Sequence, residues 1–246
     1  MKSLLIKKSK ELFKEDKAIV HLVDDEEQNK FLNDLENYPH AFVLACLMDR
    51  QIKAERAWAI PYKIYKELGN FDIDKLKGKG KEYYKELFNK NKFHKYNNDM
   101  AEIFYKGVCH IIYKYDGKAD KIWKNKPSSA AIVYRFLEFY GCGIKIATMA
   151  ANILARQFKI PMLDYYCIDI SPDVHIRRVL YRLGFVEKEA SPDMVIYKAR
   201  ELNPEFPGLI DFLCWEIGRN YCKPKIEDCK CGDCFMNKNK VCPKNP

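Results

Sequence analysis

Apolar residues recur along most of the chain with the three- and four-residue spacing of amphipathic helices, and alternating strand patterns are scarce. The pattern predicts a basic amphipathic helix over Met1–Glu15 and two helices within residues 41–69. Further helices are predicted at about residues 98–115, 128–139, 144–158, 174–183, 192–202 and 206–220. Residues 74–98 are rich in lysine and interrupted by glycine, which is typical of a partly exposed segment. The chain is therefore predicted to be all-α.

The composition indicates a soluble globular protein with a basic surface. The chain has 246 residues, of which 48% are hydrophobic and 31% are charged, and these values argue against disorder. Its 43 Lys+Arg against 34 Asp+Glu give a formal net charge of +9, which favours binding to a polyanion such as nucleic acid. A solvated lysine-rich surface is the alternative. No apolar run reaches the roughly 18–20 residues needed to cross a bilayer, so we expect no membrane association and a cytoplasmic location.

The ten cysteines fall into two groups. Five lie scattered among apolar residues and are predicted to belong to the core: Cys46, Cys109, Cys142, Cys167 and Cys214. The other five crowd into the last 25 residues: Cys222, Cys229, Cys231, Cys234 and Cys242. In a cytosolic protein, such a group binds metal more often than it forms disulfides. A thiolate-rich site suits either an iron–sulfur cluster or zinc.

Residues 128–158 have the pattern of two helices joined by a tight hairpin. The first helix runs to Phe139, the turn contains Gly141 and Gly143, and Lys145 falls in the first turn of the second helix. Two glycines one residue apart suit a turn that needs positive φ or close approach to the backbone. The N–H groups at the start of the second helix form an anion site suited to a phosphodiester. An ordinary helix–helix turn is the alternative explanation.

A second segment adds an acidic residue. Residues 172–179 read Pro-Asp-Val-His-Ile-Arg-Arg-Val, where Asp173 can cap the following helix. The two segments together resemble the endonuclease III branch of the helix-hairpin-helix DNA glycosylase superfamily. The family's Leu-Pro-Gly-Val-Gly-x-Lys-Thr-Ala is similar to Phe-Tyr-Gly-Cys-Gly-Ile-Lys-Ile-Ala at residues 139–147, and its Val-Asp-Thr-His-Ile-x-Arg-Val is similar to residues 172–179.

The resemblance extends over roughly residues 33–242 and implies a fold with two helical lobes. One lobe would be a six-helix barrel over residues 33–157, ending in the helix-hairpin-helix at about 128–158. The other would combine residues 1–32 with residues 158–246 and include the cysteine loop at 222–242. Duplex DNA would bind in the cleft between the lobes, with Lys145 and Asp173 facing each other across it. The protein is expected to be a monomer.

The resemblance also implies a function: a base-excision-repair DNA glycosylase with AP lyase activity that removes a damaged base, expected to be an oxidised one, from duplex DNA. Lys145 would attack the sugar and form a Schiff base, and Asp173 would stabilise the cationic sugar. Leu47–Gln51 looks like the family's early helix, whose last glutamine probes the duplex. The residues expected to bind DNA are Gln51, Gly141, Gly143, Ile144 and His175.

The family's Cys-x6-Cys-x2-Cys-x5-Cys pattern implies one 4Fe–4S cluster, with zinc as the alternative. The gap from Cys222 to Cys229 fits the first interval and the gap from Cys231 to Cys234 fits the second, but four ligands cannot satisfy both. The preferred ligands are Cys222, Cys231, Cys234 and Cys242, with Cys229 as the alternative to Cys231.

The sequence departs from the family pattern in three places. Ile146 replaces the threonine after the lysine, the cysteine spacing is altered, and the interval between Lys145 and Asp173 is lengthened at about Met162–Ser171. The longer interval makes an 8-oxoguanine-type glycosylase the alternative enzyme. A non-catalytic DNA-binding iron–sulfur protein and a redox protein are the alternatives from other classes. The sequence specifies neither the damaged base nor the base opposite it.

Overall fold

The computed structural model describes residues 1–15 and 19–244, and within these ranges it is helical with no β-strand. The helices are α1 (Lys2–Lys14), α2 (Glu26–Asn33), α3 (Pro39–Met48), α4 (Ala54–Trp58), α5 (Ile60–Leu68), α6 (Ile73–Lys79), α7 (Lys81–Asn91), α8 (Asn97–Tyr115), α9 (Ser129–Leu137), α10 (Ile144–Arg156), α11 (Val174–Arg182), α12 (Pro192–Leu202), α13 (Asp211–Asn220) and α14 (Phe235–Lys238). Short 3-10 helices occur at Ala119–Ile122, Pro207–Ile210 and Ile226–Asp228. The predicted all-α class is confirmed. Residues 16–18 and 245–246, which belong to the predicted segments 1–32 and 158–246, lie outside the described residues.

The chain forms two compact units. The first consists of Met1–Asp16, Ser128–Val133 and Ala151–Pro246, and the second of Lys17–Pro127 and Tyr134–Ala150. The division falls within α9 and α10, the two helices that flank the hairpin. The lobe boundaries predicted at residues 33 and 157 stay predictions.

The first unit is built around α11. Its residues Ile176, Val179 and Leu180 follow the helical spacing of a single apolar face, and all three are buried. The face packs in a cluster with residues of α12, α13 and α1, including the fully buried Leu5. Full burial of one such leucine stabilises the fold by about 1.5–3 kcal/mol. The N-terminal helix is therefore part of this core.

The second unit is built around α3, whose residues are all buried. A helix that is apolar on every side must lie inside a protein. The lysine-rich segment 74–98 is partly exposed, as predicted, and it forms α6 and α7, of which α7 buries one face through Tyr84, Leu87 and Phe88. These three residues have the spacing of a helix face, which the many lysines around them obscured.

Capping residues mark the ends of several of these helices. The Ser191 hydroxyl caps α12 by accepting from the Met194 N–H at 3.3 Å. Gly69 and Gly184 follow α5 and α11 with φ of +63° and +73°, the left-handed conformation that ends many helices. Among the residues described, no helix is both long and apolar enough to span a membrane.

Candidate functional site

The hairpin between α9 and α10 requires glycine at its first glycine position. Gly141 has φ of +80°, and a β-carbon there would lie 2.9 Å from Ile103 Cδ1. The turn is closed by the Cys142 N–H, which donates to the Phe139 carbonyl at 3.0 Å. A side chain at position 141 would therefore strain the backbone and collide with α8.

The second glycine serves a different purpose. Gly143 is not among the glycines with positive φ, and a β-carbon built on it would meet nothing within 4 Å. Its carbonyl accepts from the Ile146 and Ala147 N–H groups at 3.0 Å, which starts α10. The first N–H groups of a helix have no carbonyl one turn earlier to bind. The space beside the Gly143 α-carbon, at this end of the helix, is open.

Lys145 lies in the first turn of α10 and its side chain is exposed, as is Ile144 at 47%. By contrast, the next residue, Ile146, is only 5% exposed. Ile146 therefore belongs to the core of the second unit and not to the surface beside the lysine. Thr148 braces the same turn, because its hydroxyl donates to the Ile144 carbonyl at 2.9 Å.

Two further cationic side chains lie beside the hairpin. A guanidinium nitrogen of Arg50, Nη1, lies 3.4 Å from the position of a β-carbon on Gly141. Lys106 Nζ lies 3.5 Å from the centre of the Tyr140 ring, and Tyr140 is 55% exposed. The sequence interpretation missed both cations, although Arg50 directly precedes the predicted Gln51. Lys106 Nζ is also ion-paired with Glu102 Oε1 at 2.8 Å, so Arg50 and Lys145 are the cations that favour an anion at this surface.

Gln51 is exposed and adopts φ of +53°, a conformation that is uncommon outside glycine. Its Oε1 accepts from the Tyr96 hydroxyl at 2.9 Å. A non-glycine residue with positive φ carries about 1–3 kcal/mol of backbone strain. Such a conformation persists where the surrounding contacts stabilise it. The strained turn presents the amide at the surface of the second unit.

Asp173 caps α11 in the first unit. Its Oδ1 accepts from the N–H groups of His175 and Ile176, both at 2.8 Å. The side chain is half-buried. The predicted cap is confirmed, and it holds the carboxylate at a fixed position at the beginning of the helix.

His175 connects this helix to the C-terminal segment. Its Nδ1 lies 3.0 Å from Arg178 Nη2. The same guanidinium donates to the carbonyls of Gly218 at 2.8 Å and Cys222 at 2.7 Å. The helix that begins at Asp173 is therefore hydrogen-bonded to the start of the cysteine-rich tail.

The five clustered cysteines line one cavity in the first unit, together with Arg182. Arg182 Nη1 donates to the sulfurs of Cys229 at 2.9 Å and Cys222 at 3.2 Å. The backbone N–H of Lys223 also donates to Cys229 Sγ, at 3.1 Å. The sequence could not show that Cys222 and Cys229 share an arginine, because it lies some 40 residues upstream.

These thiols form a donor set suited to an iron–sulfur cluster or zinc. Burial raises the pKa of the Cys222 and Cys242 thiols, and the Arg182 guanidinium partly opposes this rise at Cys222. In the part of the chain that the structure describes, no group of three or more His, Cys, Asp or Glu side chains is arranged to hold a metal ion. The residues thus fit a thiolate-ligated group by their chemistry and their common cavity, but their present positions do not form a coordination shell.

The lengthened segment Met162–Ser171 is packed into the first unit. Tyr165 stacks on Phe206 with ring centres 4.8 Å apart, and Asp169 is ion-paired with Arg200 at 2.7 Å. The Cys167 N–H donates to the Ser129 hydroxyl at 3.0 Å. Cys167 itself is exposed, so its predicted core position is wrong. Stacking, an ion pair and a hydrogen bond therefore attach the segment to the rest of the first unit.

The predicted site residues are distributed over the two units. The first unit contains Asp173, His175 and the five clustered cysteines. The second unit contains Gln51, Gly141, Gly143, Ile144 and Lys145. Within the second unit, the hairpin and the Gln51 turn are brought together through Arg50, which precedes Gln51 and borders Gly141.

No family model and no curated protein matches the sequence. Among solved structures, the chain is similar to a trapped endonuclease III–DNA covalent intermediate, an estranged-adenine complex, with 16% identity, a TM-score of 0.61, and coverage of 98% of this chain and 99% of that one. It is also similar to a non-covalent endonuclease III–DNA complex, with 16% identity, a TM-score of 0.63, and coverage of 99% and 96%. The chain therefore has an all-helical fold in which two helices flank a glycine hairpin. This fold is that of endonuclease III.

Proposed function

We propose that this chain is a base-excision-repair DNA glycosylase with AP lyase activity. The observation that supports this most directly is the position of Lys145, an exposed amine in the first helical turn after a glycine hairpin, in a chain with the endonuclease III fold. The substrate is duplex DNA with a damaged, oxidised base or an abasic site. The protein acts as a monomer in the cytoplasm.

DNA binding uses the surface around the hairpin. A phosphodiester accepts hydrogen bonds from the N–H groups at the start of α10, where the space beside Gly143 is open. Arg50 adds positive charge beside it. Gln51 enters the space left by the base that is turned out of the duplex.

Catalysis uses one amine and one carboxylate. The Asp173 carboxylate stabilises the cationic sugar that forms as the N-glycosidic bond breaks. The neutral Lys145 amine bonds to C1′ as the base leaves with the bonding electron pair, and proton loss and ring opening give a protonated Schiff base. Removal of a C2′ proton then expels the 3′ phosphate and cuts the strand, and water hydrolyses the Schiff base to regenerate the amine.

We further propose that the tail holds one 4Fe–4S cluster, with zinc as the alternative. The ligands would be Cys222, Cys231, Cys234 and Cys242, with Cys229 in place of Cys231 as the alternative. A bound cluster supplies a rigid cross-link for a tail that has little core of its own. Arg178 and Arg182 join this tail to the helix that Asp173 caps.

Borohydride trapping tests the proposal. Duplexes that contain an abasic site or one defined lesion each should form a covalent complex with the protein when the Schiff base is reduced. Lys145→Gln should abolish trapping but keep the fold, because the side chain is exposed, and it should weaken DNA binding only by the loss of one cation. Lys63→Gln, which removes another exposed lysine from the same unit, is the matched control and should trap normally.

Each outcome separates the alternatives. Trapping by Lys145→Gln would mean that another amine is the nucleophile. DNA binding without trapping on any lesion would favour the non-catalytic protein, and absence of DNA binding would favour the redox protein. Among the lesions, a preference for 8-oxoguanine over oxidised pyrimidines would identify the alternative enzyme.

A further inference from the structure

A buried histidine lies behind the turn that presents Gln51. His94, in the loop after α7, is only 2% exposed and belongs to the same unit as Gln51. The carbonyls of Arg50 and Met48, which lead from the end of α3 into the turn, lie beside its ring. Gln51 itself has φ of +53°, a conformation that needs support from its surroundings. The histidine ring is therefore one of the contacts that support the strained turn.

The loop that carries His94 is anchored on both sides of the histidine. Arg56 Nε donates to the Phe93 carbonyl at 3.0 Å, and the His94 N–H donates to Asn97 Oδ1 at 2.8 Å. The ring nitrogen Nδ1 accepts from the Tyr96 N–H at 3.1 Å. The hydrogen of the neutral ring is therefore on Nε2, which is buried and meets no partner in hydrogen-bond geometry among the described residues. The bond at Nδ1 is the one that connects the ring to its loop.

Tyr96 extends this connection to the side chain of Gln51. Its N–H binds the buried ring, and its hydroxyl donates to Gln51 Oε1 at 2.9 Å. The Tyr96 side chain is 38% exposed, so burial alone does not fix its position. Ordering one mobile side chain on binding lowers an affinity by about two- to tenfold. A glutamine that is already held in the free protein avoids much of this loss.

Protonation of His94 would break the connection. An imidazolium carries a hydrogen on both nitrogens, so Nδ1 could no longer accept from the Tyr96 N–H. Burial lowers the pKa of His94 below its ordinary value of 6.5, and the guanidinium groups of Arg56 and Arg50 act in the same direction. The carbonyls of Arg50 and Met48 partly oppose this shift. The ring is therefore neutral at pH 7.5 and gains its charge only as the pH falls below 6.5.

We propose that His94 is a positioning residue for Gln51, and that its neutral ring holds the turn and the amide ready to enter the duplex. In acid this support is lost, and recognition of a missing base weakens. Contacts with phosphates do not depend on the Nδ1 bond. The inference rests on the proposed function, in which Gln51 enters the space left by the flipped base.

A ratio of two affinities tests the inference. Dissociation constants are measured at pH 7.5 and 5.0, at one salt concentration, for a duplex with a tetrahydrofuran abasic analogue and for the matched intact duplex. Their ratio removes the general effect of protein charge on DNA binding. The wild-type preference for the abasic duplex should fall by about two- to tenfold at pH 5.0. Circular dichroism at both pH values verifies that the protein stays folded.

Three variants separate the hydrogen-bond acceptor from the rest of the ring. His94→Asn has an oxygen on Cγ, where histidine has Nδ1, and this acceptor does not titrate. Its preference should be close to that of the wild type at pH 7.5 and unchanged at pH 5.0. His94→Leu has no acceptor and should have the low preference at both pH values. His21→Asn, which changes an exposed histidine of the same unit, should follow the wild type.

The outcomes distinguish this inference from the proposed function. A wild-type preference that is equal at both pH values, or a pH dependence that His94→Asn retains, would overturn the role of His94 but leave the glycosylase proposal standing. The asparagine variant decides the matter if His94→Leu does not fold. Equal binding of abasic and intact duplexes by the wild type at pH 7.5 would count against the glycosylase proposal itself.

Discussion

The backbone of Gly218 in α13 lies directly against His175 in α11. A β-carbon on Gly218 would be 2.7 Å from His175 Cβ and 2.9 Å from the His175 carbonyl oxygen. His175 is also one of the two residues whose N–H groups bind the Asp173 carboxylate. The close approach of α13 to α11 at Gly218 therefore fixes the start of α11, and with it the position of the Asp173 carboxylate within the first unit.

Gly218→Ala should destabilise the protein. The added methyl group meets backbone atoms that cannot rotate away, and overpacking of this kind costs about 1–3 kcal/mol. Chemical denaturation measures the change in the free energy of unfolding. Gly143→Ala is the matched control and should be close to neutral for stability, because the space beside Gly143 is open. Equal stability of the two variants would show that α13 moves aside without cost.

Asp173→Asn should separate catalysis from helix capping. Asparagine caps helices about as well as aspartate, so the melting temperature should change little. Base excision should fall by orders of magnitude, because the negative charge that stabilises the sugar cation is lost. Ser191→Ala, which removes the cap of α12, should have the opposite pattern of effects. It should lower the free energy of unfolding by about 0.5–2 kcal/mol and leave base excision by the folded protein unchanged. Full base-excision activity of Asp173→Asn would show that Asp173 caps the helix and has no role in catalysis.

Serine substitutions should identify the ligands of the proposed cluster. Protein purified without oxygen should contain about four irons per chain, as a cubane held by four thiolates requires. Cys229→Ser and Cys231→Ser should differ strongly in iron content, with the larger loss marking the true ligand. Cys167→Ser, which changes an exposed cysteine outside the cluster, is the control. Stoichiometric zinc without iron would establish the alternative metal.

Acidification should weaken the second unit through His40. Burial lowers the pKa of His40, whose Nε2 lies 2.7 Å from the Phe71 carbonyl. The unfolded chain therefore binds a proton at a higher pH than the folded chain, and the free energy of unfolding falls as the pH drops below about 6.5. Urea unfolding at pH 7.5 and 5.5 measures the difference. His40→Gln should reduce it, and the exposed His21→Gln should not. Identical pH dependence in all three proteins would exclude His40 as a source.

The sequence predicts most of the helical fold because helix signals are local. The apolar spacing of α11, the Ser191–Pro192 start of α12 and the glycine after α5 act within one or two turns. The helices α6 and α7 were not predicted, because the three buried residues of α7 are spread among lysines. Their burial depends on α8, which is a tertiary contact that no local window contains.

The site was predictable where a motif specifies backbone geometry. The conformation of Gly141 and the capping by Asp173 follow from local sequence, and the structure contains both. The contacts of Tyr96 with Gln51 and of Arg182 with the cysteines join residues 40 or more positions apart. No spacing rule marks such pairs, because they depend on how separate helices pack.

The burial of Leu5 in the first unit affects the order in which the protein can fold during synthesis. The rest of that core comes from residues 170–236, so α1 leaves the ribosome long before its partners exist. At about 5–20 residues per second, the helix waits on the order of ten seconds or more. The second unit, which is largely continuous in sequence, can fold during this interval. A nascent chain stalled before α11 should therefore expose an unpaired apolar helix to chaperones.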